Sequence, residues 1–324
     1  MLFVLSVIVP CFNSGSTIAR SLSSVLDQSS MSIEIICVDD GSSDNTESVV
    51  AEIQNSYANV VYKKLSVNQG VSHARNVGMA LANGLWITFL DADDSIDMIA
   101  LESALQIIPA ECDIAICQHV FTGNGANGHP YFLKDGPLER LQLVALQQEY
   151  LSNPIGNSVI GHCWGKIYRR EFILAGKIQF DESLQIYEDL FFVAQCLKAA
   201  RSGYFSYRVV YIHAPSQGLG TQFEYQPLGF SKGLHTLATS IEQAMQSESL
   251  YRTAYSAYFA KSLFLARKMP YQRLRQFLKR LSASPERIES SLVSNRALRM
   301  AICLKMYKFP LPYYVYCWML LRRK

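Results

Sequence analysis

Strand-like runs at Leu5–Val9, Ile33–Val38, Val60–Lys64, Trp86–Leu90 and Asp113–Val120 punctuate the first 120 residues, and amphipathic stretches of helical length separate them. Near-continuous apolar strands are buried on both faces. Joined by helices, they form a mostly parallel, Rossmann-like sheet with helices on either side. This one alternation predicts an α/β fold and rules out bundles, sandwiches and barrels of antiparallel hairpins. It also places the site, because ligands of such sheets bind beyond the carboxyl ends of the strands.

Acidic residues gather at those ends. "CVDDGSSDNT" puts Asp39 and Asp40 after the second run, and "ITFLDADD" puts Asp91, Asp93 and Asp94 after the fourth. Carboxylates this close repel one another unless a cation or a set of hydrogen-bond donors neutralises them. Turn chemistry accounts for some of them. Asp94 or Ser95 would cap a helix running from about Ile96 to Ile108, with Asp97 in its first turn, and Asp44 with Glu47 approximates a capping box. Residues two apart on a departing strand point the same way, so Asp91 and Asp93 would converge on one site while Ala92 faces elsewhere.

A glycine-rich phosphate grip is missing: "VPCFNSGST" follows the first run, and there is neither GxGxxG nor GxxxxGK[ST]. A diphosphate in a carboxylate-lined crevice needs a divalent cation between the two. Mg²⁺ or Mn²⁺, held by one or two carboxylates and the phosphate oxygens, meets that need.

"SVIVPCFN", "VDDGSSDNT", "NQGVSHARNVGMALANG", "ITFLDADD" and "YEDLFF", in this order, resemble the family 2 glycosyltransferases, inverting enzymes of the GT-A fold, over about residues 4 to 215. The resemblance implies a nucleotide-sugar donor, most often UDP-linked, and a hydroxyl acceptor on a glycan or lipid-linked saccharide. It gives Asp39 the nucleobase contact, with Pro10 and Phe12 shaping the wall beside it and Asp40 next to it. Asn68, Gly70 and Arg75 fall on the donor side, Arg75 facing the diphosphate or the acidic cluster. Asp93 would hold the metal, and Asp91 the ribose or the metal's water shell. Asp189 would be the base that takes the acceptor proton, with Glu188 as the second candidate, because neighbouring helical residues face different ways. In "HCWGKIYRREF", His162 and Trp164 are acceptor-side candidates, Trp164 by stacking on a sugar. His213, in "YIHAPSQG", stands where many relatives carry an arginine, and is a candidate phosphate contact or additional metal ligand. The alternatives are a sugar nucleotidyltransferase, whose glycine- and arginine-rich opening loop is not seen, and a catalytically silent nucleotide-sugar-binding or scaffold protein.

Further along, "GNGANGHP" reads as an exposed loop, Leu138–Leu151 as a helix, Glu188 onward as a helix with Leu190, Phe191, Val193, Ala194 and Leu197 on its apolar face, and Gly203–Ile212 as a short strand pair. The expected domains are 1–225, catalytic, with a nucleotide-sugar half (1–120) and an acceptor half (121–225), followed by a helical region at 226–324. Residues 251–324 hold 16 Lys and Arg against Glu286 and Glu289, a balance of +14, whereas the preceding 250 residues carry 14 basic and 25 acidic side chains. Leu274, Phe277, Leu278 and Leu281 form a helical stripe, and the chain closes on "FPLPYYVYCWMLLRRK". Such segments suit an anionic membrane surface or packing on protein, including a second subunit; no nucleic-acid module accompanies the charge. The opening "MLFVLSVIVP" lacks a basic n-region and a cleavage pattern, so it reads as a strand rather than a signal peptide. Eight cysteines without a CxxC pair read as reduced thiols. Together these features predict a cytoplasmic protein that is peripheral on the inner face of a membrane.

Overall fold

In the computed structural model, the described residues are 3–27, 30–121, 135–152, 161–184 and 188–214, with six further positions at 256, 271, 272, 274, 275 and 278. The loop at 123–130, Tyr187, Phe277, Leu281 and the closing aromatic segment lie outside them.

Strands β1 (Leu5–Cys11), β2 (Ile33–Asp39), β3 (Val60–Lys64) and β4 (Trp86–Phe89) alternate with helices α1 (Ile18–Leu26), α2 (Thr46–Ser56) and α3 (Val71–Leu81). All seven residues of β1 and all seven of β2 are buried, so both faces of the sheet are covered here. Strands β5 (Ser95–Ile96), β6 (Ile114–Phe121), β7 (Gly136–Glu139), β8 (Lys166–Arg169) and β9 (Ser202–His213) follow, with α4 (Met98–Leu105), α5 (Arg140–Ser152), α6 (Arg170–Ala175) and α7 (Glu188–Ala199) among them. The sheet order is β3-β2-β1-β4-β8-β6-β9-β5, with β7 also paired to β9.

The pairings β3-β2, β2-β1 and β1-β4 are parallel, and β6-β9 is parallel too. The pairings of β8, of β5 and of β7 are antiparallel, so the second half of the sheet is mixed. Successive connections leave β1 in opposite directions, to β2 on one side and to β4 on the other. The crevice beyond the ends of β1 and β4 is therefore the switch point where α/β sheets bind ligands.

Three local expectations change. Residues 203–212 belong to one long strand, β9, whose register against β6 shifts at Cys117–His119 instead of folding back into a pair. Asp97 caps α4, its carboxylate accepting from Ala100 N at 2.9 Å, so the helix starts two residues later than expected and Ser95 instead pairs with β9. Asp44 accepts from Thr46 N at 3.0 Å and from Gly15 N at 3.0 Å, pinning the loop after β1 as well as the start of α2. Glu47 pairs with Lys64 at 2.6 Å and does not close a capping box.

The opposite, amino-terminal end of these strands is stapled by a buried acid. Glu34 accepts from Ser6 Oγ at 2.6 Å and from Asn83 N and Gly84 N at 2.5 and 3.1 Å, tying β2 to β1 and to the turn before β4. A Cβ at Gly84 would stand 2.6 Å from Ser6 N, so only glycine fits this crossing.

By packing, the chain divides into one compact unit of 1–146, 159–182 and 188–222 and a second of 147–158, 183–187 and 223–324. Every candidate site residue belongs to the first. In the second, Leu274 and Leu278 are fully buried, so this part of the apolar stripe packs within protein. Among the described residues no helix is long and apolar enough to cross a membrane. The six described cysteines are free and buried.

Candidate active site

The buried face of α3 carries Arg75 to the carboxyl end of the sheet. Its guanidinium, 4% exposed, donates from Nη2 to Asp91 Oδ1 at 3.0 Å and from Nη1 to Asp189 Oδ1 at 2.6 Å and Glu188 Oε1 at 3.3 Å. It also lies over the Phe180 ring, 5.3 Å from the centroid. Asn76 fixes that ring from the next helical position: its Oδ1 accepts from Phe180 N and its Nδ2 donates to Phe180 O, both at 2.9 Å. Arg75 thus joins the end of β4 to the start of α7.

Three carboxylates around one guanidinium leave excess negative charge. Burial pushes the Asp91 carboxyl up to about 6 against the pull of Arg75. Burial, and next the neighbouring Asp189, push Glu188 up to about 7. Perturbed acids converging at a switch point mark a functional site.

The acids of "DADD" separate into distinct roles. Asp94 N donates to Asp91 O at 3.0 Å, so residues 91–94 form a turn and the alternation of an extended strand does not apply. Asp91 is engaged by Arg75. Asp94 is fully buried, and it is neither a cap nor a site ligand. It accepts from Tyr211 Oη at 2.6 Å and from Ala214 N at 2.8 Å, and both its oxygens stand 2.9 Å from His213 Nδ1. That bond raises the His213 pKa. Asp93 is left open: among the described residues only its own main-chain N–H donates to its carboxylate, whose pKa burial raises. The turn is held from outside by Arg20 donating to Asp93 O, Ser21 Oγ to Asp94 O at 2.7 Å and Ser24 Oγ accepting from Ile96 N at 3.1 Å.

Asp39 and Asp40 are both satisfied within the protein. Asp39 accepts from Ser42 N at 2.7 Å and from the Tyr62 hydroxyl. Asp40 accepts from Gln69 N and Gly70 N at 2.7 and 2.8 Å, locking β2 to the loop that opens α3. Gly70 is needed for its φ of +96°, not for close approach, since a Cβ there would meet nothing within 4 Å. Pro10 is buried in β1, Phe12 is half-buried just past its end, Asn68 is exposed and Ala92 is buried.

Trp164 does not offer a face to a sugar. It is 4% exposed, with His162 stacked on it at 4.2 Å and Tyr211 stacked at 4.3 Å. His162 is the outer ring of this column, and its Nδ1 stands 3.9 Å from Asp189 Oδ2. The Tyr211 hydroxyl, at the inner end, accepts from Asp91 N at 3.3 Å as well as donating to Asp94. From Asp91, contacts therefore run one way through Arg75 to Asp189 and the other way, from its main-chain N, through Tyr211 and Trp164 to His162. Buried Lys166 donates to His162 O at 2.5 Å, and desolvation lowers its ammonium pKa to about 8. Sequence reasoning passed over Arg20, Ser21, Ser24, Tyr62, Lys166 and Tyr211. Only the hydroxyl or charge of each hinted at a role, and all but Lys166 meet their partners from distant segments.

Among the described residues no three His, Cys, Asp or Glu side chains form a ready-made metal cage. The donor set nevertheless fits a hard divalent cation shared with a substrate phosphate. Asp93 is open, Asp91 is adjacent in the turn, and His213 has the carboxylate on its Nδ1 that orients metal-binding imidazoles.

The profile described as Glycosyl transferase family 2 matches residues 6–174, just over half of the chain. The chain is 31% identical over 209 residues to the minor teichoic acid biosynthesis protein GgaA of Bacillus subtilis, covering 61% of this chain and 44% of that protein. It is 31% identical over 193 residues to the succinoglycan biosynthesis protein ExoO of Rhizobium meliloti, covering 59% and 54%. The chain thus spans about half the length of these curated relatives. Among solved structures, S. aureus TarS 1-349 in complex with UDP-GlcNAc aligns with a TM-score of 0.70 at 22% identity, over 99% of this chain and 92% of that one. The mannosyltransferase PcManGT from Pyrobaculum calidifontis, in complex with GDP-Man and Mn2+, aligns at 0.51 and 15% identity, over 98% and 87%. The architecture is the GT-A fold these structures share, and with the family profile matched over more than half of its length, the chain belongs to glycosyl transferase family 2.

Proposed function

We propose that this protein transfers a sugar from a nucleotide-sugar, a UDP-sugar, to a hydroxyl of a glycan or lipid-linked saccharide of a surface polysaccharide, in one displacement with inversion. The observation that carries this reading is the placement of Asp189. Arg75 holds one of its oxygens at 2.6 Å, and the same guanidinium holds Asp91 at the edge of the acidic turn. In this reading one guanidinium brings the proton acceptor and the acidic turn together. The names of GgaA and ExoO support polysaccharide biosynthesis as the setting, and the UDP-GlcNAc complex of TarS supports the donor class.

In this reading Asp189 takes the proton of the acceptor hydroxyl as its oxygen bonds to the anomeric carbon. Asp93, with Asp91 and His213, would hold Mn²⁺ or Mg²⁺. The ion would supply positive charge beside the departing diphosphate. Asp39, Asp40, Pro10, Phe12, Asn68 and Gly70 line the nucleotide side. For Asp39 to meet a base, the base must share or displace the Tyr62 hydroxyl. Arg75 acts as the counter-charge of the three carboxylates and not as a free phosphate ligand.

The test is UDP release from a panel of UDP-sugars with Mn²⁺ or Mg²⁺ and lipid-linked acceptors. Asp93→Asn and Asp189→Asn should each reduce transfer by about a hundredfold or more; two fully active variants would refute the assignment. For the basic region, the +14 balance of residues 251–324 supports attachment to an anionic membrane surface. Removing residues after 270 should lower co-sedimentation with phosphatidylglycerol vesicles, and unchanged binding would exclude that role.

A further inference from the structure

We propose that Tyr62 sets the affinity and selectivity of the nucleobase site by competition: its phenol occupies the Asp39 oxygen that the base must reach, and a base binds by displacing it with an N–H of its own. The inference rests on the nucleotide-sugar reading above, in which Asp39 meets the base. It goes beyond that reading by naming what the base has to displace and which bases can do so.

Each oxygen of Asp39 is taken. Oδ1 accepts from Ser42 N at 2.7 Å, and Oδ2 accepts from the Tyr62 hydroxyl. The first contact is not exchangeable, because its donor is main chain in a turn that the fold pins. Gly41 lies there at φ of +79°, and a Cβ on it would stand 3.0 Å from Asn68 N. The second contact comes from a side chain. Lys64, the register partner of Asp39 on β3, is paired with Glu47 at 2.6 Å. Among the described residues the phenol is therefore the one side chain that donates to this carboxylate.

Burial decides between sharing and displacement. Asp39 exposes no surface, so a second donor cannot approach Oδ2 while the phenol is in place. Tyr62 itself is half-buried on β3, the terminal strand of the sheet, with exposed Val61 and Lys63 on either side, so its side chain has an outward path. It aligns with Cys37, two residues before Asp39 and on the same face of β2, which is why the ring reaches diagonally to Oδ2. Burial, and next the bond to Asp39, push the phenol's pKa up, so it stays a neutral donor.

Selectivity follows from the hydrogen-bond inventory. Taking the phenol off a buried carboxylate leaves an oxygen without a donor, and only a ligand that brings an N–H to the same place recovers the loss. Uracil carries such a donor at its ring N3, and a uracil methylated there does not. The hydroxyl thus stabilises the empty protein, weakens the binding of every base that reaches Asp39 and rejects those that cannot replace it.

Calorimetric binding of UDP and of 3-methyluridine 5′-diphosphate to the full chain with Mn²⁺, beside urea unfolding of the same samples, tests this. Tyr62→Phe should bind UDP about fivefold or more tighter than wild type, bind the methylated nucleotide within about twofold of wild type, and unfold at lower urea. Tyr62→Leu, which also lacks the hydroxyl but has no ring to stack on a base, should show the same gain. An unchanged or weaker UDP Kd in the variants overturns the proposal. So does a gain in the Phe variant alone, which assigns the effect to stacking, or an equal gain for both nucleotides, which separates Tyr62 from the N3 contact. A wild-type protein that does not bind UDP overturns the nucleotide-sugar reading itself. Wild-type binding of UDP without a gain in either variant leaves that reading standing and removes only this one.

Discussion

Arg75 Nη1 stands 2.6 Å from Asp189 Oδ1, and through this contact α3 fixes the first turn of α7. The guanidinium is almost wholly buried, so its removal would leave three carboxylates facing one another without a counter-charge. Arg75→Met should destabilise the fold by about 3–5 kcal/mol, read from urea unfolding, and abolish transfer. Arg75→Lys should recover part of the stability but little activity, because an ammonium cannot serve three acids from a planar fork.

Asp93 and Asp94 are neighbours with opposite expected phenotypes. Asp94→Ala strands Tyr211 Oη, His213 Nδ1 and Ala214 N, and should cost about 2–3 kcal/mol of stability. Asp93→Ala removes no hydrogen bond to another described residue and should leave the melting temperature within about 2 °C of wild type while weakening Mn²⁺ binding about tenfold or more by calorimetry. In the wild type, Mn²⁺ affinity should decline as the pH falls below about 6, where Asp91 takes up a proton.

Glu188 gives a pH signature in stability. Its folded carboxyl is raised from 4.5 to about 7 by burial and by Asp189, so the folded state holds the proton more tightly than the unfolded chain does. The corresponding stability is present below about pH 4.5 and is lost as the pH rises through about 7. Glu188→Gln, which does not titrate, should therefore gain on wild type between pH 5 and pH 8, by on the order of 1–2 kcal/mol at the upper end. Thermal unfolding at the two pH values checks this, and a gain that is larger at pH 5 would contradict it.

Two glycines separate strain from collision. At Gly70 a Cβ has open space, but φ of +96° and ψ of 158° lie where side-chain-bearing residues rarely go, so Gly70→Ala should cost about 1–3 kcal/mol. At Gly84 the added Cβ would strike main-chain Ser6 N at 2.6 Å, and Gly84→Ala should cost more than Gly70→Ala in the same urea titration.

Much of this was legible in the residues alone, and the legible part is local. Apolar strand runs alternating with amphipathic stretches specified the parallel half of the sheet, and the boundaries of β3 emerge as read. The acids of "CVDDGS" and "LDADD" emerge at its carboxyl ends, because strand burial and chain direction follow from nearest neighbours. The short strands β5, β7 and β8 left too few residues for any period to register. What each acid does depended on partners the local pattern cannot reach. Asp189 meets Arg75 across 114 positions, Asp94 meets Tyr211 across 117, and Trp164 loses both faces to rings that only folding brings together. The sequence by itself determined that acids would gather at the switch point. The tertiary structure decided that Arg75 neutralises Asp91, that β9 consumes Asp94, and that Asp93 remains open, because the pairing of a buried charge is settled by whichever donors the fold delivers to it.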